Sequence, residues 1–123
     1  MIRKTNKYGA KQTIIDNITF DSKMEAQRYA HLCMLQRAGL ISELENHPEF
    51  VLIEPFTKLG KKKRGHKYKA DFMYLDEHGQ RIVEDVKGFV ARDFPLRRTL
   101  FDSKYPDLLL KVVKNTNGIW EEK

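Results

Sequence analysis

The chain is short of cysteine, proline and tryptophan: one Cys, four Pro and one Trp in 123 residues. A lone Cys33 cannot close an internal disulfide and leaves no cysteine spacing for zinc, which points to a reducing, cytoplasmic location. No apolar run approaches the roughly 20 residues that cross a bilayer, and no secretory h-region follows Met1. A Walker-type phosphate loop is also missing, because Leu59-Gly60-Lys61 lacks the spacing and the following helix. No Ser or Cys nucleophile has an evident His partner, and His47, alone beside Pro48, reads as a loop residue. No repeat or low-complexity linker divides the chain. Residues 1–123 are therefore read as one domain with no membrane partner.

Acids are missing locally as well. Residues 58–69 contain Lys58, Lys61, Lys62, Lys63, Arg64, Lys67 and Lys69, with His66 among them and no Asp or Glu. Gly60 and Gly65 mark this stretch as a hairpin loop. A charge run is usually a solvated face, but uncompensated cations between two strands favour phosphate contact without sequence specificity. The whole chain agrees in sign, with a net charge of +6 and a pI near 9.4, which suits a polyanionic partner. Residues 1–12 form a basic arm carrying Lys7 and Lys11; ordering on a polyanion and plain solvation both fit it.

What is present is a clear succession of elements. Asp16-Asn17 is a two-residue turn between Thr13-Ile14-Ile15 and Ile18-Thr19-Phe20, which predicts a small N-terminal hairpin. Residues 22–38 read as a helix, with Ser22 as N-cap, Gly39 just past its end and Leu40 making the closing apolar contact. At about 100° per residue, Met24, Ala26, Tyr29, Leu32, Cys33 and Leu35 form one apolar stripe, with Glu25 near its middle. A carboxylate there needs a partner. Either Ser22 and Glu25 form a capping box, or Glu25 points toward a metal.

A connection over residues 43–48 precedes a buried strand from Phe50 to Pro55 or Phe56. Residues 67–75 alternate, with Tyr68, Ala70, Phe72 and Tyr74 on one face and Lys67, Lys69, Asp71 and Met73 on the other. After a turn at residues 76–80, residues 81–88 return as the antiparallel partner. On that strand Asp85 and Lys87 share one face, while Ile82, Glu84 and Val86 share the other. A second helix over about residues 95–103 exposes Arg97 and Arg98, and residues 108–113 form a last buried strand. Residues 115–123 read as a polar tail, in which Trp120 either packs back on the sheet or meets a second copy.

That order resembles the PD-(D/E)XK nuclease superfamily, whose core is αβββαβ. The residues that carry the resemblance are Phe20-Asp21-Ser22-Lys23-Met24-Glu25, then Tyr68-Lys69-Ala70-Asp71-Phe72, then Val83-Glu84-Asp85-Val86-Lys87-Gly88. Within the superfamily the chain is similar to small phage-type proteins, to Holliday-junction resolvases and to the end-cleaving subunit of certain transposases. The resemblance implies an α+β, restriction-endonuclease-like fold with a mixed sheet flanked by helices. It implies that Glu25, Asp71 and Asp85 hold Mg²⁺ or Mn²⁺ and that Lys87 acts on the attacking water. Ala70 stands where the motif has Pro, which removes no ligand, and Glu84 is the alternative motif acid. Strand parity favours Asp85, because it shares the face of Lys87.

The implied activity is endonucleolytic hydrolysis of DNA, first of branched or recombination DNA by a homodimer. Nicking of duplex or transposon ends is the alternative within the class, and an inactive DNA-binding protein on a nuclease scaffold is the alternative outside it. Lys7, Lys11, Lys61, Lys62, Lys63, Arg64, Lys67, Lys69, Arg97 and Arg98 are the expected DNA contacts. A phage or prophage origin, in the cytoplasm of a bacterial host, goes with the resemblance.

Overall fold

The structure is a computed structural model that describes residues 12–87 and 91–122. Strands β1 (Thr13–Ile15) and β2 (Ile18–Phe20) form the N-terminal hairpin. Asp16 and Asn17 turn it with φ of 53° and 64°, the left-handed conformation whose twist matches paired strands. Helix α1 (Lys23–Arg37) starts where Ser22 Oγ accepts the Glu25 N–H at 3.1 Å. Its far end closes through Gly39, at φ 79°, with the Gly39 and Leu40 amides donating to the Gln36 and Leu35 carbonyls at 3.0 Å each. The Leu40 side chain, expected to pack there, stays 47% exposed.

Residues 43–48 are not a simple connection. Strand β3 (Ser42–Asn46) occupies most of them. It is an outer strand, paired on one side only among the described residues, with exposed Glu43 and Glu45 flanking a half-buried Leu44, so it carries little of the usual apolar signal. Strands β4 (Glu49–Ile53) and β7 (His66–Lys69) make a separate ribbon, and β5 (Phe56–Lys58) and β6 (Lys61–Lys63) make a hairpin between them. The basic stretch, read as a hairpin loop, is two short strands and a turn followed by β7.

The strand expected over residues 67–75 is broken at Ala70-Asp71, where the chain passes from the ribbon to β8 (Phe72–Leu75) in the main sheet. The break is held by backbone bonds: Ala70 N–H to the Pro48 carbonyl at 3.0 Å, and His47 N–H to the Asp71 carbonyl at 2.9 Å. As a result Tyr68 and Ala70 lie in one core and Phe72 and Tyr74 in another, not on one common face.

Strand β9 (Arg81–Val86) pairs antiparallel with β8. Helix α2 (Phe94–Lys104) then crosses over, with Pro95 in its first turn, and β10 (Leu108–Thr116) lies parallel to β9. The expected polar tail is instead β11 (Ile119–Glu122), returned antiparallel to β10 by an Asn117-Gly118 turn at φ 52° and 86°. Trp120 packs against the α1 core, with the Arg28 guanidinium carbon 5.1 Å from its ring centroid.

The main sheet runs β11-β10-β9-β8-β3. Its α1 side is packed with Phe20, Tyr29, Leu32, Phe72, Ile82 and Val86, and its α2 side with Phe50, Tyr68, Val83, Phe94, Phe101 and Leu110. The fold is α+β, and its helices and main-sheet strands follow the order αβββαββ, the expected αβββαβ with β11 added at the end. Both outer strands carry exposed acids, Glu43 and Glu45 on β3 and Glu121 and Glu122 on β11. Among the described residues no helix is long and apolar enough to cross a membrane.

Candidate active site

Because β9 is buried on both faces, its alternation sends neighbouring acids to different surroundings. Glu84 turns to the α1 side and is fully buried. There it takes Arg28 Nε at 2.7 Å and Arg28 Nη2 at 2.8 Å, together with the Tyr74 hydroxyl. Burial works against the Arg28 charge, but the bonds and attraction of Glu84 outweigh it and raise the Arg28 pKa. A carboxylate so engaged is committed to the fold.

Asp85 turns to the other side. It accepts the Tyr68 hydroxyl and lies 3.4 Å from Lys87 Nζ. The Lys87 ammonium in turn rests 4.9 Å from the centroid of the Phe94 ring, a cation–π contact supplied by the first residue of α2. Asp71 enters at the break before β8. Its N–H donates to the Glu84 carbonyl at 3.0 Å, which extends the β8–β9 ladder, and its Oδ2 accepts the Val86 N–H at 2.7 Å. The two bonds hold the Asp71 carboxyl near Asp85, whose charge acts on it.

Glu25 is half-buried in the first turn of α1. The capping box is only half made among the described residues: Ser22 Oγ accepts the Glu25 amide, and the Glu25 carboxyl makes no return bond to the Ser22 amide. Burial, then the Asp21 charge, and more weakly Asp85, push the Glu25 pKa up to about 7. Burial, then Glu25 and Asp85, push Asp71 up to about 9. Tyr68 is raised too, by burial and then by Asp85.

Glu25 and Asp71 thus share one poorly hydrated patch beside Asp85, where burial and neighbouring carboxylates disfavour the ionisation of both. A hard divalent cation relieves that arrangement, since oxygen donors of this kind suit Mg²⁺ or Mn²⁺. In donor chemistry Glu25, Asp71 and Asp85 fit such an ion. They are not preassembled for it: among the described residues no three His, Cys, Asp or Glu side chains stand as a formed metal-binding group.

The cations lie elsewhere. Lys61, Lys62, Lys63, Arg64, Lys67 and Lys69 are exposed on the β5–β6 hairpin and on β7. Arg97 is exposed and paired with Asp93 at 3.1 Å. Arg98, expected to be exposed with it, is half-buried and donates Nη2 to the Leu110 carbonyl at 2.8 Å. Lys7 and Lys11 fall outside the described residues. A cavity of about 550 Å³ runs between hairpin and ribbon, lined by Lys62, Lys63, Arg64 and Lys67 over Val51 and Ile53, and does not include the carboxyls.

Tyr68 and Arg28 are the neighbours of the site that sequence reading passed over. Arg28 had a signal: it lies three residues after Glu25 and four before Leu32, on the helix face that is buried. The Tyr68 hydroxyl had none, because its acceptor comes from a strand 17 residues on.

The molecule is thus an α+β domain with a paired-acid and lysine cluster on adjacent strands. It belongs to the DUF1064 family, described as a protein of unknown function, whose model matches residues 5–118. No curated protein and no solved structure matches the chain.

Proposed function

We propose that the chain is a Mg²⁺- or Mn²⁺-dependent DNA endonuclease of the PD-(D/E)XK type, acting first on branched DNA. The observation that supports this most is the meeting of Asp71, just before β8, with Asp85 and Lys87 at the end of β9, and with Glu25 close enough to act on Asp71. The reaction is hydrolysis: water oxygen bonds to phosphorus, one P–O ester bond breaks, and the leaving oxygen ends protonated.

Asp71, Asp85 and Glu25 are the residues that would hold the ion. When bound, the ion supplies an acidified water and neutralises charge on the phosphate. The Val86 amide fixes Asp71, and Tyr68 fixes Asp85. Lys87, steadied by Asp85 and the Phe94 ring, presents an ammonium to the attacking water or to a phosphate oxygen. The exposed cations of the β5–β6 hairpin, with β7 and Arg97, grip the sugar-phosphate backbone and give affinity without base readout. Symmetric incision of a four-way junction needs two sites, so the working unit on that substrate is a homodimer in the host cytoplasm.

The test is a cleavage panel of duplex, single-stranded, flap and four-way DNA, with Mg²⁺, with Mn²⁺ and with chelator. Wild-type protein should cut the four-way substrate only with metal. Asp71→Ala and Lys87→Ala should bind it and leave it intact. Binding without cleavage under every condition would leave a DNA-binding protein on a nuclease scaffold, and unchanged cleavage by either variant would overturn the site.

A further inference from the structure

Among the described residues the β5–β6 hairpin pairs only with itself. Its register, Phe56 with Lys63, Thr57 with Lys62 and Lys58 with Lys61, leaves Leu59-Gly60 as a two-residue turn. Both residues are left-handed, Leu59 at φ 48° and Gly60 at φ 79°. Asn, Asp or Gly is the unstrained choice at the first of these positions, and leucine is not. Leu59 is also 93% exposed, more than any other large apolar side chain among the described residues. Backbone preference and hydration therefore both act against leucine at this tip. Neither is relieved by a contact among the described residues.

The surroundings of the tip specify what would relieve them. Lys58, Lys61, Lys62, Lys63 and Arg64 are exposed, and no described acid pairs with any of them. The arm is anchored at its base, where Gly65 lies so close to β4 that an added Cβ would sit 1.9 Å from the Ile53 carbonyl oxygen. A basic two-stranded arm with one apolar residue at its end calls for a partner that offers anionic groups outside and apolar surface within. Duplex DNA offers both: phosphates along its backbone and base faces between its steps. A lipid bilayer offers the same pair of chemistries, but a single leucine is a small apolar area for anchoring.

We propose that Leu59 is a wedge, which enters the base stack of bound DNA while the flanking lysines hold its phosphates. The contact is non-covalent, and it unstacks one base step and kinks the DNA at the protein surface. This rests on the DNA-binding part of the proposed function, and not on cleavage.

The experiment uses the full chain in chelator, with a four-way junction carrying 2-aminopurine beside the branch point, and with anionic phospholipid vesicles as a second probe. The variant is Leu59→Asn, which favours the same turn and should match or exceed the wild-type thermal midpoint. Wild-type protein should bind the junction with strong salt dependence and raise 2-aminopurine fluorescence several-fold. Leu59→Asn should keep the salt slope and lose the fluorescence rise. Equal fluorescence rises in the two proteins, or binding by wild type with no rise, would overturn the wedge and leave DNA binding standing. No binding of wild type to the junction would overturn both, and binding to vesicles in its place would assign the hairpin to a membrane surface.

Discussion

Glu84 and Asp85 are neighbours in sequence with opposite surroundings: Glu84 is locked to Arg28 at 2.7 Å on one side of β9, while Asp85 lies 3.4 Å from Lys87 on the other. Removing one partner of a buried pair leaves an uncompensated charge, which costs about 3–5 kcal/mol. Glu84→Ala and Arg28→Ala should each lose about that much in chemical denaturation. Arg28→Met combined with Glu84→Leu should recover most of the loss. Asp85→Asn, by contrast, should remain close to wild type in stability and lose metal-dependent cleavage. A cleavage-competent Asp85→Asn together with a well-folded, inactive Glu84→Gln would exchange the two roles.

Asp71 makes stability depend on pH. Its folded pKa, about 9, lies above its ordinary 3.8, and Glu25 is displaced in the same direction, to about 7 from 4.5. The folded state therefore binds more protons than the unfolded state between those values, so metal-free stability should fall as pH rises from about 4 toward 9. Asp71→Asn should flatten most of that decline and be the more stable protein at neutral pH, despite losing activity. Thermal melts in chelator across that range check it. Added Mg²⁺ should raise the wild-type midpoint more than that of Asp71→Asn.

Much of the fold around the candidate site was readable from local pattern. The Asp16-Asn17 turn, the Ser22 cap, the Gly39 stop and the parity of β9 all depend on residues within a few positions of each other. What escaped depends on partners far along the chain. Arg28 and Glu84 are 56 residues apart, so nothing near either one announces the pair. The passage from β7 to β8 is set by bonds from His47 and Pro48, and the alternation of residues 67–75 runs across it unbroken. Strand β3 was hidden by its charges. The β11 hairpin was not hidden, since Asn117-Gly118 is a strong turn signal whose flanking residues are mostly polar.

Gly65 has no room for a side chain, with the Ile53 carbonyl oxygen 1.9 Å from where its Cβ would be. Gly65→Ala must separate the hairpin base from β4, and overpacking of this kind costs about 1–3 kcal/mol. The loss should appear as a lower denaturation midpoint, with faster amide exchange at Ile53 and His66. A variant as stable as wild type would show that the hairpin base yields freely.

Lys62 and Lys63 should act through phosphate alone. Every phosphate that goes without its lysine lowers the slope of log affinity against log salt by about 0.9. Lys62→Ala with Lys63→Ala should therefore reduce the slope by about 2, alike for every DNA sequence. Binding isotherms from low to moderate salt measure it. An unchanged slope would place the DNA on another face.

The acids at the two ends of the main sheet bear on how copies of the chain can assemble. Glu121 and Glu122 line β11 and Glu43 and Glu45 line β3. Two copies meeting outer strand to like outer strand would set carboxylates against carboxylates, and like charges directly opposite destabilise a ladder. The sheet is therefore self-limiting: it resists continuing into a second molecule, which guards against fibrous stacking. A symmetric pair formed through a helix or a hairpin would avoid that repulsion.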